Sequence, residues 1–535
     1  MTAPSPPVPA GHERPDPALA RSSAAPTPPA STPPASTPGP RELPRYAWRP
    51  VGVIAAIAAA VLAATVNGYG YHRDELYFRM LAAHPAWGYV DEPPLTPMLV
   101  RVSTELFGDS LWALRLPAII CAVATVFLVA LLCRELGGAR FAQTLAAFGG
   151  AGAFPLVAGH VMLTATPDLV VWTLVVLFAC RALLRDEPRW WLAAGVTVGI
   201  GLYNKQLIVL LLIGLAAGLL ISGPRRHLSS RWLWAGVGLA VVIALPTVIY
   251  QATNHWPELH MARAISDDKG ANDRATYLPF QVILLGLTLA PIWIAGFIAL
   301  FRDPRWRAIR AFGWAYPVVS VIVLVSGGQV YYTFGLLALY YAAGCVRVSR
   351  WVLGGASIRW GRFGWVAAAL AFSVPTSAVV ALPIVPARSL HGTGIAALNQ
   401  SARDSIGWPT YVREVATAYQ TMSPDDRAHT AVITSNYGEA GAIARFGRAD
   451  GLPALVYSGQ NQLYFYGPPP AADDVALVVG IDSQALRSMF GACETIGALD
   501  NRLGVANEEQ GEPIVECHGP DRPWTQLWRS FQHYD

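Results

Sequence analysis

Charge is scarce in this chain of 535 residues: Asp, Glu, Lys and Arg together make up 14%, where soluble domains carry about 25%. A soluble multidomain protein is excluded, because too little polar surface remains to cover an apolar content of 53%. Lysine is nearly absent, with only Lys205 and Lys269 against 37 Arg. The formal net charge of +4 is too small for a nucleic-acid surface, so no nucleic-acid partner is expected. Cysteine is sparse as well: there are six, with no CxxC spacing and no His/Cys cluster that would mark a zinc site. Cys121, Cys133, Cys180 and Cys345 fall in or beside apolar runs, as small buried hydrophobes do.

Proline and apolar runs are plentiful, in different places. Residues 1–48 hold 14 of the 42 prolines and cannot bury a core, so a disordered tail is expected there. From Val51 to about Pro383, apolar stretches alternate with short charged or Gly/Pro loops. A bilayer core needs about 20 apolar residues in a helix. Eleven candidate spans follow: 51–67, 112–132, 142–160, 168–184, 190–204, 206–222, 232–250, 280–300, 312–327, 333–346 and 364–384, the fifth and tenth being short. With the tail cytoplasmic, the loops on its side carry 19 Arg against 5 acids, and the opposite loops carry 7 basic against 11 acidic residues. That asymmetry sets an inside N-terminus, and eleven crossings put residues 385–535 outside.

The C-terminal region reads as an independent α/β domain. Residues 408–421 look helical, and TAVITSN, ALVYSG, VALVVGI and PIVECHG look like strands, with EAGAIARF and SQALRSMF as helices between them. Outside the cell, Cys493 and Cys517 are expected to be bridged, the alternative being two unpaired thiols. The reading is a polytopic α-helical membrane protein with a C-terminal extracytoplasmic α/β domain. Its parts are a tail (1–48), a transmembrane domain (49–384, with a first outer loop at 68–111) and the outer domain (385–535).

The loop 68–111 is far longer than a connector of about 2–8 residues. Leu76, Met80 and Leu81, then Met98, Leu99, Val102 and Leu106, recur at helical spacing, with Pro93, Pro94 and Pro97 between them. Two amphipathic helices on the membrane surface are expected. Asp74 and Glu75 follow the first span, where a carboxylate can act as general base for a hydroxyl or simply favour a helix N-terminus. Asp168 opens the fourth span, as a helix-start residue after Pro167 or as part of a shared site with the first pair. Lys205, between the fifth and sixth spans, is placed to hold a lipid phosphate or to snorkel. The loop 251–279 adds His255, Glu258, His260, Arg263, Lys269 and Arg274, enough basic groups to neutralise a phosphate.

These segments carry a resemblance. YHRDELYF after the first span, GYVDEPPLTP, RLPAIICAVATVFLVALLCRELGG and TATPDLVVWTL resemble the bacterial branch of the dolichyl-phosphate-mannose protein mannosyltransferase superfamily. That is the GT-C group, which includes the aminoarabinose transferases of lipid A. NHWPELH, GGQVYYTFGLLALYYAAG, YGEAGAIARFG and LVYSGQNQLYFYG continue the likeness to the end of the chain. The resemblance implies a polyprenyl-phosphate-linked sugar donor and inverting transfer to a protein, polysaccharide or lipid acceptor on the outer face of a bacterial plasma membrane. It makes Asp74, Glu75 and Asp168 the catalytic acids. Lys205 becomes a donor-phosphate contact, with Arg73, Asp91, His255, Arg263, Lys269, Tyr331 and Tyr332 as further substrate-binding residues. Gln329 stands where many relatives carry Lys, so one phosphate-binding charge is absent or is supplied from 251–279. No cofactor is required, and the clustered acids leave a divalent metal open. The rival classes are a lipid or sugar transporter, for which midplane polar groups and inverted repeats are expected, and a membrane-anchored binding protein.

Overall fold

The computed structural model describes residues 43–354 and 359–534, apart from the side chains of residues 268 and 269. The disordered tail expected over 1–48 lies almost wholly outside the described residues. Fifteen main helices form the first part of the chain. They are α1 (Trp48–Thr65), α2 (Arg73–Ala83), α3 (Leu95–Phe107), α4 (Leu111–Glu135), α5 (Arg140–Gly150), α6 (Ala153–His160), α7 (Ala165–Leu184) and α8 (Trp190–Gly201). Next come α9 (Ile208–Ser222), α10 (Arg231–Thr253), α11 (Pro257–Ile283), α12 (Ala290–Arg302), α13 (Arg310–Ser326), α14 (Phe334–Leu353) and α15 (Arg359–Ala381).

Among the described residues, seven helices are long and apolar enough to cross a membrane, or nine if each of two bent pairs is one span. The bent pairs are α5 with α6, at 52°, and the end of α11 with α12, at 73°. The two breaks meet: Phe154 donates its backbone N–H to the Leu284 carbonyl at 2.9 Å. Each break thus satisfies a polar group freed by the other, which is what allows irregular backbone at such depth. α8 and α9 are shorter, at 12 and 15 residues, about 18 and 22 Å at 1.5 Å per residue. The short spans are therefore the fifth and sixth expected segments, whereas the tenth forms a full helix of 20 residues. Helix pairs approach through glycines. A Cβ on Gly296 would lie 1.8 Å from the Tyr340 carbonyl oxygen, and one on Gly218 would lie 1.9 Å from that of Ala311. Backbones this close bring extended van der Waals contact, the main attraction between helices in lipid.

The loop 68–111 does fold into two helices, α2 and α3. They differ from the expected pair of surface helices. α3 exposes Val102, Leu106 and Phe107, whereas Leu76, Tyr77, Phe78 and Leu81 of α2 are buried. What buries α2 is the C-terminal region. There, α16 (Trp408–Thr421) and α17 (Tyr437–Phe446) accompany β1 (Thr430–Thr434), β2 (Tyr457–Ser458), β3 (Val475–Val479), β4 (Phe490–Ala498) and β5 (Pro513–Pro520). The sheet order is β2-β1-β3-β5-β4, parallel from β2 to β3 and antiparallel beyond. β1 and β3 are buried along their whole length because both faces are covered. Val432, Leu477 and Val479 join a core with α2, α16 and α17, and their neighbours Ile433, Ala476 and Val478 join a second core with Trp524 and Trp528.

The C-terminal region is thus not independent: residues 42–535 form one compact unit, and α17 rests on α2, where a Cβ on Gly441 would lie 2.7 Å from that of Leu76. SQALRSMF is helical only over Ser483–Leu486 and then enters β4. β4 was missed because its burial does not alternate cleanly. Cys493 and Cys517 face each other on β4 and β5 and are bridged, with Cα atoms 4.2 Å apart. The loop expected at 251–279 is instead the last turn of α10, a short corner and most of α11.

Candidate active site

The site forms where α2, the 84–94 segment, the α8–α9 turn, the α13–α14 turn and α17 meet. α2 is capped by His72, whose Nδ1 accepts from the Asp74 backbone N–H at 3.1 Å. Glu75 closes the capping box by accepting from the His72 N–H at 2.8 Å. Asp74 therefore sits in the first turn, where the helix dipole favours an anion.

The two acids have opposite surroundings. Glu75 is fully buried. Its carboxylate accepts from Arg115 Nε and Nη2, both at 2.8 Å, and from the Met162 backbone N–H at 2.9 Å. Arg115 also donates to the carbonyls of Val66 and Gly70. The pair ties α2 to α4 and to the end of α6, and its lone pairs are spent. Glu75, expected as a catalytic acid, is thus engaged on both oxygens within the fold. Asp74 is 31% exposed, and its Oδ1 accepts from the Tyr437 hydroxyl at 3.0 Å.

Below Asp74 lies a layer of acids around one lysine. Asp91 Oδ1 accepts from the Tyr77 hydroxyl at 2.8 Å. Burial pushes Asp91 up to about 7, against the Tyr77 hydrogen bond that lowers it. Glu92 is raised well above the usual carboxylate range, first by burial, with Lys205 opposing. Glu258 accepts from Gln251 at 2.6 Å and Gln206 at 3.3 Å, and burial raises it to about 7. Lys205 lies in the turn between α8 and α9. Its Nζ reaches Thr164 Oγ1 at 3.3 Å and stands 5.5 Å from the ring centre of Tyr332. The neighbouring Asn204 is fully buried and binds the Thr164 carbonyl at 2.7 Å and Asp168 Oδ1 at 2.9 Å, while Thr96 donates to it at 2.7 Å. Asn204 thus holds three segments in register. The charges of Lys205, Asp74 and Asp168 all act on Tyr331, whose ring stacks on Phe154 at 5.0 Å.

Of the expected site residues, the structure gathers Asp74, Asp91, Asp168, Lys205, Tyr331 and Tyr332. Arg73 adjoins them but is turned to the C-terminal unit, pairing with Glu508 and lying over the Tyr437 ring at 4.8 Å. His255 and Arg263 do not join the cluster: both are exposed, and neither makes a hydrogen bond or ion pair among the described residues. The corner before α11 leaves His255 exposed, with His255 and Trp256 both at positive φ, and Arg263 falls on an exposed position of α11. The Lys269 side chain lies outside the described residues. Sequence reading missed Tyr77, Asn204, Tyr437 and Gln462. Asn204 had a signal in its place beside Lys205, whereas Tyr437 lies 363 residues from its partner. Among the described residues, the one group of His and acidic ligand atoms close enough to share an ion is Asp426, Glu516 and His518, within 4.8 Å. It belongs to the C-terminal unit, and His518 already pairs with both carboxylates.

Residues 91–250 match the model of the dolichyl-phosphate-mannose-protein mannosyltransferase family. The match spans Asp91, Asp168 and Lys205 and begins after Asp74. A curated relative, undecaprenyl phosphate-alpha-4-amino-4-deoxy-L-arabinose arabinosyl transferase 1 of Pseudomonas fluorescens, is 28% identical over 212 residues, 36% of this chain. The chain spans 38% of that relative's length. The crystal structure of ArnT from Cupriavidus metallidurans bound to undecaprenyl phosphate superposes with a TM-score of 0.55 at 17% identity, covering 88% of this chain and 98% of ArnT. The apo form of ArnT gives 0.54 at 15% identity, covering 87% and 97%. The chain is a multi-pass membrane protein of helical GT-C fold. Within that class its fold is similar to that of ArnT, and residues 91–250 are the part that matches the mannosyltransferase family's model.

Proposed function

We propose that the protein is a membrane glycosyltransferase that moves a sugar from a polyprenyl-phosphate donor to an acceptor hydroxyl. The observation that carries this reading is the meeting of a half-exposed carboxylate, Asp74, with a buried layer holding Lys205, Asp168 and Tyr331. The fold likeness to ArnT bound to undecaprenyl phosphate supports it. Asp74 accepts the acceptor's proton as the acceptor oxygen bonds to the sugar's anomeric carbon. The bond from that carbon to the phosphate oxygen breaks, and the electron pair leaves on polyprenyl phosphate. Charge develops on the phosphate, so a fixed cation is what departure needs. Lys205 supplies it: burial by itself lowers its pKa, but Tyr331, Tyr332, Glu92 and Asp168 together raise it well above the ordinary lysine value. Asp168 and Asn204 hold the turn that carries Lys205. A transporter reading finds no support in this arrangement, because the acids cluster at one end of the helices.

The membrane is the bacterial plasma membrane, with the N-terminal tail inside and the C-terminal unit and site outside, as the arginine asymmetry supports. The test is transfer of labelled sugar from undecaprenyl-phosphate-linked pentose or hexose by purified protein in lipid discs. Release of undecaprenyl phosphate that depends on an added envelope acceptor is the expected result. Donor that stays intact with every acceptor fraction refutes the reading. Thiol labelling of Ser229→Cys only after permeabilisation, and of the exposed Ser488→Cys in intact cells, is expected from the orientation; the reverse pattern overturns it.

A further inference from the structure

We propose that Tyr437, carried by the C-terminal α/β unit, is the positioning residue for Asp74: its hydroxyl holds one carboxylate oxygen so that the other is presented to the acceptor. The inference rests on the reading of Asp74 as the base. The Tyr437 hydroxyl donates to Asp74 Oδ1 at 3.0 Å, and among the described residues Asp74 Oδ2 accepts no hydrogen bond. With the side chain 31% exposed, that second oxygen is the one an incoming hydroxyl meets. A carboxylate held at a single oxygen has one rotation fixed, and a base aimed in advance reacts faster than one that must turn.

Tyr437 is itself rigidly held. It is the first residue of α17, behind an Asn436–Glu439 capping box. Its backbone N–H donates to Gln460 Oε1 at 2.6 Å. Its ring stacks on Tyr77 at 4.6 Å, with the Arg73 guanidinium 4.8 Å from the same ring. Tyr77 in turn holds Asp91 and accepts from the Gln462 backbone N–H at 3.3 Å, and Gln462 Oε1 accepts from the Val90 N–H at 3.0 Å. The C-terminal unit therefore fixes the 90–92 segment as well as Asp74. Burial raises the Tyr437 phenol well above its ordinary value; Arg73 opposes the rise and Asp74 adds to it. The group remains a donor throughout the working pH range.

The groups facing Asp74 are His72 and Arg73 on its own helix, Tyr437 on α17, Asp91 and Glu92 on the 84–94 segment, and Tyr331 on the α13–α14 turn. Of these, only Tyr437 hydrogen-bonds the Asp74 carboxylate. Tyr437→Phe keeps the stack and deletes that bond. The expected result is normal expression, a donor KM within about twofold of wild type, and a kcat lower by ~10-fold. On the Asp74→Asn background, Tyr437→Phe lowers activity no further. A kcat within twofold of wild type overturns the proposal, as does a full further loss on the Asp74→Asn background. If the Phe variant melts early, the comparison with the Asp74→Asn background, taken per folded molecule, still decides, since a merely structural loss appears on both backgrounds. Full activity of Asp74→Asn rejects the base reading and this proposal with it; an inactive Asp74→Asn beside an unaffected Tyr437→Phe rejects this proposal alone.

Discussion

Glu75→Gln and Asp74→Asn are adjacent isosteric changes, and the structure gives them opposite outcomes. In Glu75→Gln, one oxygen facing Arg115 or the His72 N–H becomes an NH₂ group set against another donor. Breaking a buried ion pair from one side costs about 3–5 kcal/mol. Arg115 keeps the carbonyls of Val66 and Gly70, so the lower end, about 3 kcal/mol, applies. At about 1.4 kcal/mol per tenfold, that is ~150-fold in the folding equilibrium. Unfolding entropy of about 2.1 cal/mol/K per residue over residues 42–535 gives a fall in Tm of about 3 °C. Asp74→Asn leaves an oxygen for the Tyr437 hydroxyl, and its stability stays within about 0.5 kcal/mol. Its sugar transfer falls by ~10²–10⁴-fold, the usual worth of a general base. The assay heats detergent extracts, quantifies the surviving monodisperse protein by size-exclusion chromatography, and normalises transfer by membranes to that amount. Glu75→Gln is expected to lose protein but to keep activity per folded molecule. If it melts like wild type and is inactive, the assignment of roles to the two acids is wrong.

Lys205→Met keeps the stem and deletes the charge; it is expected to express normally and to raise the donor KM at least ~10-fold, and unchanged donor dependence assigns Lys205 to snorkelling. Asp91 and Glu258, raised to about 7 by burial, bind protons more tightly folded than unfolded, so they make the ligand-free protein less stable as pH rises from about 4 to 7. The double variant Asp91→Asn, Glu258→Gln is expected to flatten that slope in thermal melts, and an unaltered slope counts against it. Replacing both Cys493 and Cys517 by Ser removes a link across 24 residues and is expected to cost about 3 kcal/mol; non-reducing peptide maps that recover free thiols in wild type refute the bridge.

How much of this was legible beforehand differs between the membrane part and the site. The apolar runs marked each of the seven long apolar helices and both bent pairs among the described residues, because lipid imposes composition on a span whatever its neighbours are. They did not reveal the bends at Gly152 and Gly286, which arise where two broken helices meet. Asp74, Asp168 and Lys205 stood out because charge beside a span is costly. Cost alone could not separate Asp74 from Glu75, since the partner that decides it, Arg115, comes 40 residues later. His255 and Arg263 were expected on grounds of charge; the corner before α11 leaves His255 exposed, and Arg263 falls on an exposed position of α11. Tyr437 carries no local signal: it is an ordinary first residue of a capped helix, and only the tertiary contact with α2 gives it a role.

That contact bears on how the site works. α2 carries Asp74 on its first turn and buries Leu76, Tyr77, Phe78 and Leu81 in a core shared with Trp408, Val412, Ala440 and Ile443 of the C-terminal unit. Burying four such side chains is worth about 6–12 kcal/mol at 1.5–3 each. α4 covers part of them through Leu111 and Leu114, so lifting the unit off α2 costs roughly half of that sum, at least about 3 kcal/mol. The lifted state then holds below about 1% of molecules. The closed arrangement of the C-terminal unit on α2 is therefore the resting state. Asp74, Tyr437 and Asp91 keep their mutual geometry in the absence of substrate, and on the proposed reading the gap that leaves the Asp74 side chain 31% exposed is the acceptor's way in. If Asp74 is the base, its orientation is set when the chain folds, and the C-terminal unit contributes to the proposed site through Tyr437.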